Sequence, residues 1–67
     1  MIITKRSELT GKEHTLVIDI TEEQWEQVQN RRELGVKIQD IVPHLPASER
    51  EFLISGITSE EWDKVFG

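Results

Sequence analysis

Glu60, Glu61 and Asp63 crowd around Trp62 in the stretch SEEWD, and Glu49 and Glu51 flank Arg50 in EREF. Carboxylates at such spacings can divide general acid and base work between them, provided that burial or a neighbouring like charge raises the pKa of one. SEEWD reads as the exposed first turn of a helix, which offers no such burial. His14 and His44 are the only histidines and stand thirty residues apart, so no familiar metal-ligand spacing is present. With no cysteine, thiolate zinc sites and disulfides are excluded. Ser7, Ser48, Ser55 and Ser59 lack a Gly-x-Ser-x-Gly setting, and Gly11, Gly35, Gly56 and Gly67 are isolated rather than gathered into a phosphate loop. The expectation is a chain with no catalytic residues, no metal ligands and no cofactor, hence not an enzyme. Recognition chemistry remains. The candidate partner-binding residues are the acids Glu60, Glu61 and Asp63, joined by Trp62 and Phe66 if either faces solvent.

Length and charge bound the setting. Sixty-seven residues make a single small domain, 1–67, with a hairpin part (1–20) and a helical part (21–67). A chain this short buries only about 60% of its unfolded surface, so each local stabilising device counts. Eight basic residues against thirteen acidic ones give a net charge of −5. That opposes direct nucleic-acid binding, in which lysine and arginine must neutralise phosphate. Residues 1–20 carry three charges of each sign, whereas residues 41–67 carry five acids and two bases. An acidic C-terminal half fits a partner with a basic surface. No run approaches the ~20 apolar residues that span a bilayer, and no secretory leader is visible, so a cytoplasmic protein without a membrane partner is expected.

The elements follow from periodicity and punctuation, and they point to an α+β fold in which an N-terminal β-hairpin packs on three to four short α-helices. HTLVIDI alternates, with Leu16, Ile18 and Ile20 on one side, and MIITK is a shorter run of the same kind. RSELTGKE between them carries the turn, with Gly11 free to take positive φ. The inner side is expected to hold Leu16, Ile18 and Ile20 with Ile2 or Ile3. A first helix starts at Thr21 and reaches about Asn30–Leu34, where Arg31 and Arg32 suit its negative end and Gly35 stops it. Ile38, Ile41, Val42 and Leu45 form a helical stripe that Pro43 cuts short. A further helix covers ASEREFLIS, beginning either at a Ser48–Glu51 capping box or at Pro46, and ending at Gly56.

The first and last helices open alike. ITEEQWEQV and ITSEEWDKV both place a capping Thr four residues before a Trp and an isoleucine just before the Thr. Thr21 with Gln24, and Thr58 with Glu61, have the spacing of capping boxes, and Ile20–Trp25 and Ile57–Trp62 that of hydrophobic staples. Each cap contributes on the order of 1 kcal/mol. The repeat therefore reads as one structural device used twice, with both tryptophans, and Phe66 with them, expected in the core. A helix-turn-helix reader is disfavoured because its recognition helix would aim Glu60 and Glu61 at phosphate.

Thr4-Lys5 with Ser7 and Thr10-Gly11-Lys12, Asp19 with Thr21-Glu22-Glu23-Gln24, Ile38-Gln39 with Pro43-His44-Leu45, and Glu49 through Phe66 form a pattern over nearly the whole chain. In it the chain resembles a group of small bacterial and bacteriophage proteins with no activity assigned, whose C-terminus reads EREFL-x-x-G-I-T-x-EEWD-x-x-F. Pro46-Ala47 stands where that group often has Ser-Pro, and the link VQNRRELGVK is longer here. The resemblance implies a phage or prophage context and a location in the bacterial host cell.

Three functional expectations result. The first is a non-enzymatic protein-binding module, a phage-encoded modulator of a host protein. The second is a self-associating assembly component, monomer or homodimer being left open, because a hairpin edge can add a strand from another copy. The third is a DNA mimic or transcription-related regulator.

Overall fold

The computed structural model describes all residues, 1–67, in the order β1 (Ile2–Arg6), β2 (Glu13–Val17), α1 (Glu22–Gln29), α2 (Arg31–Leu34), α3 (Ile38–Ile41), α4 (Ala47–Ser55) and α5 (Ser59–Phe66). It is an α+β fold with an N-terminal antiparallel hairpin and five short helices. The strands pair in the register Ile3↔Leu16 and Lys5↔His14 on one face, and Ile2↔Val17 and Thr4↔Thr15 on the other. Ile3 rather than Ile2 is the inner residue: Ile3 is 3% exposed and Ile2 70%. β2 ends at Val17, yet the chains stay paired one residue further. The Met1 amine donates to the Ile18 carbonyl at 2.8 Å, and the Ile18 N–H donates to the Met1 carbonyl at 2.8 Å.

The turn is built around Ser7. Its side-chain oxygen accepts from the N–H groups of Leu9 and Thr10 at 3.2 and 3.3 Å, and its carbonyl accepts from Gly11 N–H at 2.9 Å. Gly11 takes the positive φ, 75°, that the turn demands.

One core holds the chain together: Ile3, Ile18 and Ile20 from the hairpin side, Val28 from α1, Val42 and Leu45 beyond α3, and Phe52 and Leu53 from α4. Leu16, Trp25, Ile38 and Ile41 pack on its margin. The 3.6-residue stripe and the strand alternation thus converge on the same interior, as burial of both patterned faces requires.

Four expected helical segments become five because the first breaks. Thr21 and Gln24 form a full capping box, but Asn30 leaves helical geometry at φ −102° and ψ 11°, and a single turn, α2, follows before Gly35 closes it. At the break the Arg31 Nη1 donates to the Val28 carbonyl at 2.8 Å, one of the acceptors left at the end of α1. α3 ends at Ile41, immediately before Val42 and Pro43, as a proline there dictates.

The Ser48–Glu51 capping box does not form. Pro46 is the N-cap of α4, with its carbonyl accepting from Glu49 and Arg50 N–H at 3.1 Å, which leaves Ser48 inside the first turn. Glu51 Oε1 accepts from the Ser55 hydroxyl at 2.9 Å instead. Gly56 ends α4 at φ 76°. It lies so close to the hairpin that a Cβ there would meet the Arg6 carbonyl oxygen at 2.3 Å. Glu8 N–H donates to the Ser55 carbonyl at 2.9 Å across the same joint. No helix is long and apolar enough to cross a membrane.

Candidate binding surface

α5 carries every candidate residue, and its cap decides where each one points. The Thr58 hydroxyl oxygen accepts from Glu61 N–H at 3.2 Å, while Glu61 Oε1 accepts from Thr58 N–H at 3.2 Å. The same carboxylate reaches the hairpin. The Thr10 hydroxyl donates to Glu61 Oε2, and His14 Nε2 lies 2.9 Å from Oε1. Partners from the hairpin and from the helix's own cap together hold this one side chain, and its residue is only 8% exposed. Glu61 is therefore not part of an exposed acidic face, contrary to the reading of SEEWD as a solvated turn. Its pKa is pulled from an ordinary 4.5 to about 2, chiefly by the Thr10 hydroxyl, with His14, the Thr58 N–H and Ser7 adding to this and burial opposing it.

Fixing Glu61 inward fixes the rotation of the helix. Successive residues step about 100° around the axis, so Trp62 and Phe66, one turn apart, fall together on another side. That side faces water: Trp62 is 49% exposed and Phe66 61%, and Val65, between it and Glu61, is 53% exposed. The expectation that both tryptophans and Phe66 belong to the core holds only for Trp25, which packs at the core margin. Glu61 is the one buried residue of α5. The helix is thus moored by its first turn, and its apolar stripe is left without a partner from within the chain. The Trp62 and Phe66 rings compensate by packing on each other, with centroids 4.5 Å apart and planes tilted by 44°.

Beside this pair lies an open cavity of about 290 Å³ between α4 and α5. Ala47, Ile57 and Trp62 give it apolar walls, and Glu51 and Asp63 stand at it with Ser48 and Ser59. Ile57 and Trp62, which the staple pattern pairs, both border this cavity. Of the acids on α5, Glu60 is engaged with Lys64 at 3.8 Å one turn on, an exposed pair of little energetic weight. Asp63 has no cationic partner among the ion pairs, which join only Arg6 to Glu13, His14 to Glu61 and Lys64 to Glu60.

The structure therefore brings together Trp62, Asp63 and Phe66 at one surface, places Glu60 exposed beside it, and removes Glu61 to the interior. It adds Ala47, Glu51 and Ile57, which the sequence did not single out for this role. Only Ile57 was hinted at, by its staple spacing to Trp62. Such a surface can bind an apolar side chain against the aromatic pair and a cation against Asp63 and Glu51. No protein family, no characterised protein and no solved structure matches the chain.

Proposed function

We propose that this chain is a small non-enzymatic binding module that engages a basic protein surface through α5. One observation carries the reading: a packed tryptophan–phenylalanine pair stands in water on a helix whose only buried residue is its capping glutamate. In a domain whose buried apolar core is eight side chains, leaving Trp62, Val65 and Phe66 outside forgoes stabilisation that burial would supply. Tryptophan and its aromatic neighbours are also the residues that dominate binding energy at interfaces. Asp63 and Glu51, neither of them in an ion pair, stand beside the apolar cavity and favour a partner segment that presents lysine or arginine next to an apolar side chain. The resemblance to phage and bacterial proteins directs the search to a bacterial host protein, with this chain as its modulator.

The test is affinity capture from a bacterial lysate with three baits: the native chain, a Trp62→Ser/Phe66→Ser variant and a Glu60→Lys/Asp63→Lys variant. Glu61 is left intact in all of them because it holds the helix in place. The expected result is a specific partner lost from both variants while their circular dichroism stays native. Retention of every partner by both variants, or no partner for the native chain, overturns the proposal.

A second reading, self-association, is favoured by the outer face of the hairpin. Ile2 and Val17 pair across the strands at 70% and 78% exposure, and neither strand of the two-stranded sheet has a further strand partner. Light scattering across a wide concentration range distinguishes the two readings: a monomer at high concentration removes this one.

A further inference from the structure

A second cavity departs from the charge balance of the chain. Four of the five principal cavities have a carboxylate in their lining: Glu51 and Asp63, Glu49 and Glu60, Glu60 and Glu61, and Asp40 respectively. The fifth, about 440 Å³, has none. It is lined instead by Lys5, Arg31 and Arg32, three of the eight basic residues of a chain with net charge −5. None of the three takes part in an ion pair; the only basic side chains that do are Arg6, His14 and Lys64. They arrive from β1 and from the start of α2, so two separate elements must come together to gather them.

The rest of the lining is of a different kind. Trp25 and Ile54, both partly exposed, give the cavity its apolar surface, with the fully buried Val28 and Leu53 beneath them. Arg31 uses one donor on the Val28 carbonyl, which fixes its guanidinium at the cavity wall, and four of its five N–H donors remain. The cavity is thus bipartite: cationic donors on one part and an indole with aliphatic neighbours on the other. Like the cavity beside α5, it is open to solvent, so a ligand would lie across its mouth rather than be enclosed. An inorganic anion would use only the cationic part, and a neutral ring only the apolar part.

We propose that this cavity binds a small organic phosphate of mononucleotide character, with the phosphate among Lys5, Arg31 and Arg32 and a flat ring against Trp25. Arginine suits the phosphate because its planar fork donates two parallel hydrogen bonds. The ring gains from the indole face, as bases do on aromatic platforms. The site is separate from the α5 surface, and either can fail without the other.

Nuclear magnetic resonance on the native chain tests this at low ionic strength, with three probes: adenosine monophosphate, adenosine and inorganic phosphate. The monophosphate is expected to shift the Trp25 indole N–H and the Lys5, Arg31 and Arg32 amides saturably, and to leave the Trp62 indole unmoved. Adenosine and inorganic phosphate should each bind at least about tenfold more weakly, since each loses one part of the site. Lys5→Ala and Arg32→Ala, which spare the Arg31 contact, should each weaken the monophosphate by about tenfold or more, the usual worth of a charge-assisted hydrogen bond. The proposal is overturned by the absence of a saturable Trp25 shift, by inorganic phosphate or adenosine binding as tightly as the monophosphate, or by unchanged affinity in both variants with native circular dichroism.

Discussion

Replacing Gly56 with alanine should destabilise the domain through two separable effects, and a second glycine separates them. Gly56 and Gly35 both end helices in the left-handed region, at φ 76° and φ 70°. An alanine at either position costs about 1–2 kcal/mol for that conformation. Around Gly35 a new Cβ would meet nothing within 4 Å, whereas at Gly56 it would lie 2.3 Å from the Arg6 carbonyl oxygen and 3.0 Å from the Ser7 nitrogen, against 3.4 Å or more for ordinary contact. The contacting atoms are backbone, so the hairpin must move by about 1 Å. The Glu8–Ser55 hydrogen bond that spans this joint at 2.9 Å is then lost or lengthened, at a cost of about 0.5–1.5 kcal/mol. Gly56→Ala should therefore exceed Gly35→Ala by at least about 1 kcal/mol, the shared backbone cost cancelling. For a domain of this size that difference is about 4–8 °C in Tm. Thermal unfolding of both variants followed by circular dichroism is the assay. Equal Tm values would refute the close docking of the hairpin on the α4–α5 joint, and with it the account of how α5 is held.

Three further outcomes are expected. Glu61 is ionised in the fold down to about pH 2 but only to its ordinary 4.5 when unfolded, so its contribution is complete above about pH 4.5 and is lost as pH falls towards 2; urea midpoints measured from pH 7 to pH 2 should fall more steeply for the native chain than for Glu61→Gln, and parallel curves would contradict this. With Trp25→Phe the remaining Trp62 should emit at long wavelength and be readily quenched by acrylamide, and with Trp62→Phe the remaining Trp25 should be bluer and better shielded; the reverse order would contradict the exposure of α5. Phe52→Ala removes the largest fully buried side chain and should cost about 3–5 kcal/mol, a large part of the roughly 3–10 kcal/mol that a chain of this length commands, so a native-like urea midpoint would place the core elsewhere.

Both capping boxes were legible in the sequence because they are local: a threonine, an acceptor three residues on, and backbone N–H groups that must find partners. The hairpin, its inward Leu16–Ile18–Ile20 side and the stop at Pro43 were legible for the same reason. The fate of the two tryptophans was not. The matched position in the two boxes is Gln24 in one and Glu61 in the other, and they differ in what lies beyond the cap. Glu61 is drawn to Thr10 and His14, residues some fifty positions away, and this contact turns the helix so that Trp62 faces out. Gln24 has no hydrogen bond beyond its own cap, and Trp25 is free to settle against the core. No pattern of spacing within either segment records that distinction. The start of α4 was ambiguous for a smaller reason: Pro46 supplies a capping carbonyl geometry that left Ser48 with nothing to cap.

Net charge conceals a similar distinction. A balance of −5 argues against affinity for polyanions when charge is spread evenly, because each phosphate must be met by a cation. Here the chain sorts its charges. The acids Asp63 and Glu51 gather beside exposed aromatics between α4 and α5, while Lys5, Arg31 and Arg32 meet at a cavity free of carboxylates. Screening confines each charged group's influence to about 8 Å at physiological ionic strength, so a small ligand responds to the side chains around its cavity more than to the sum over the molecule. An extended duplex covers many such patches and still meets the net negative field; a mononucleotide covers one. The composition that disfavours the first therefore leaves the second open, and the two can be told apart on one sample, because duplex DNA should leave the Trp25 indole resonance in place under conditions in which adenosine monophosphate moves it.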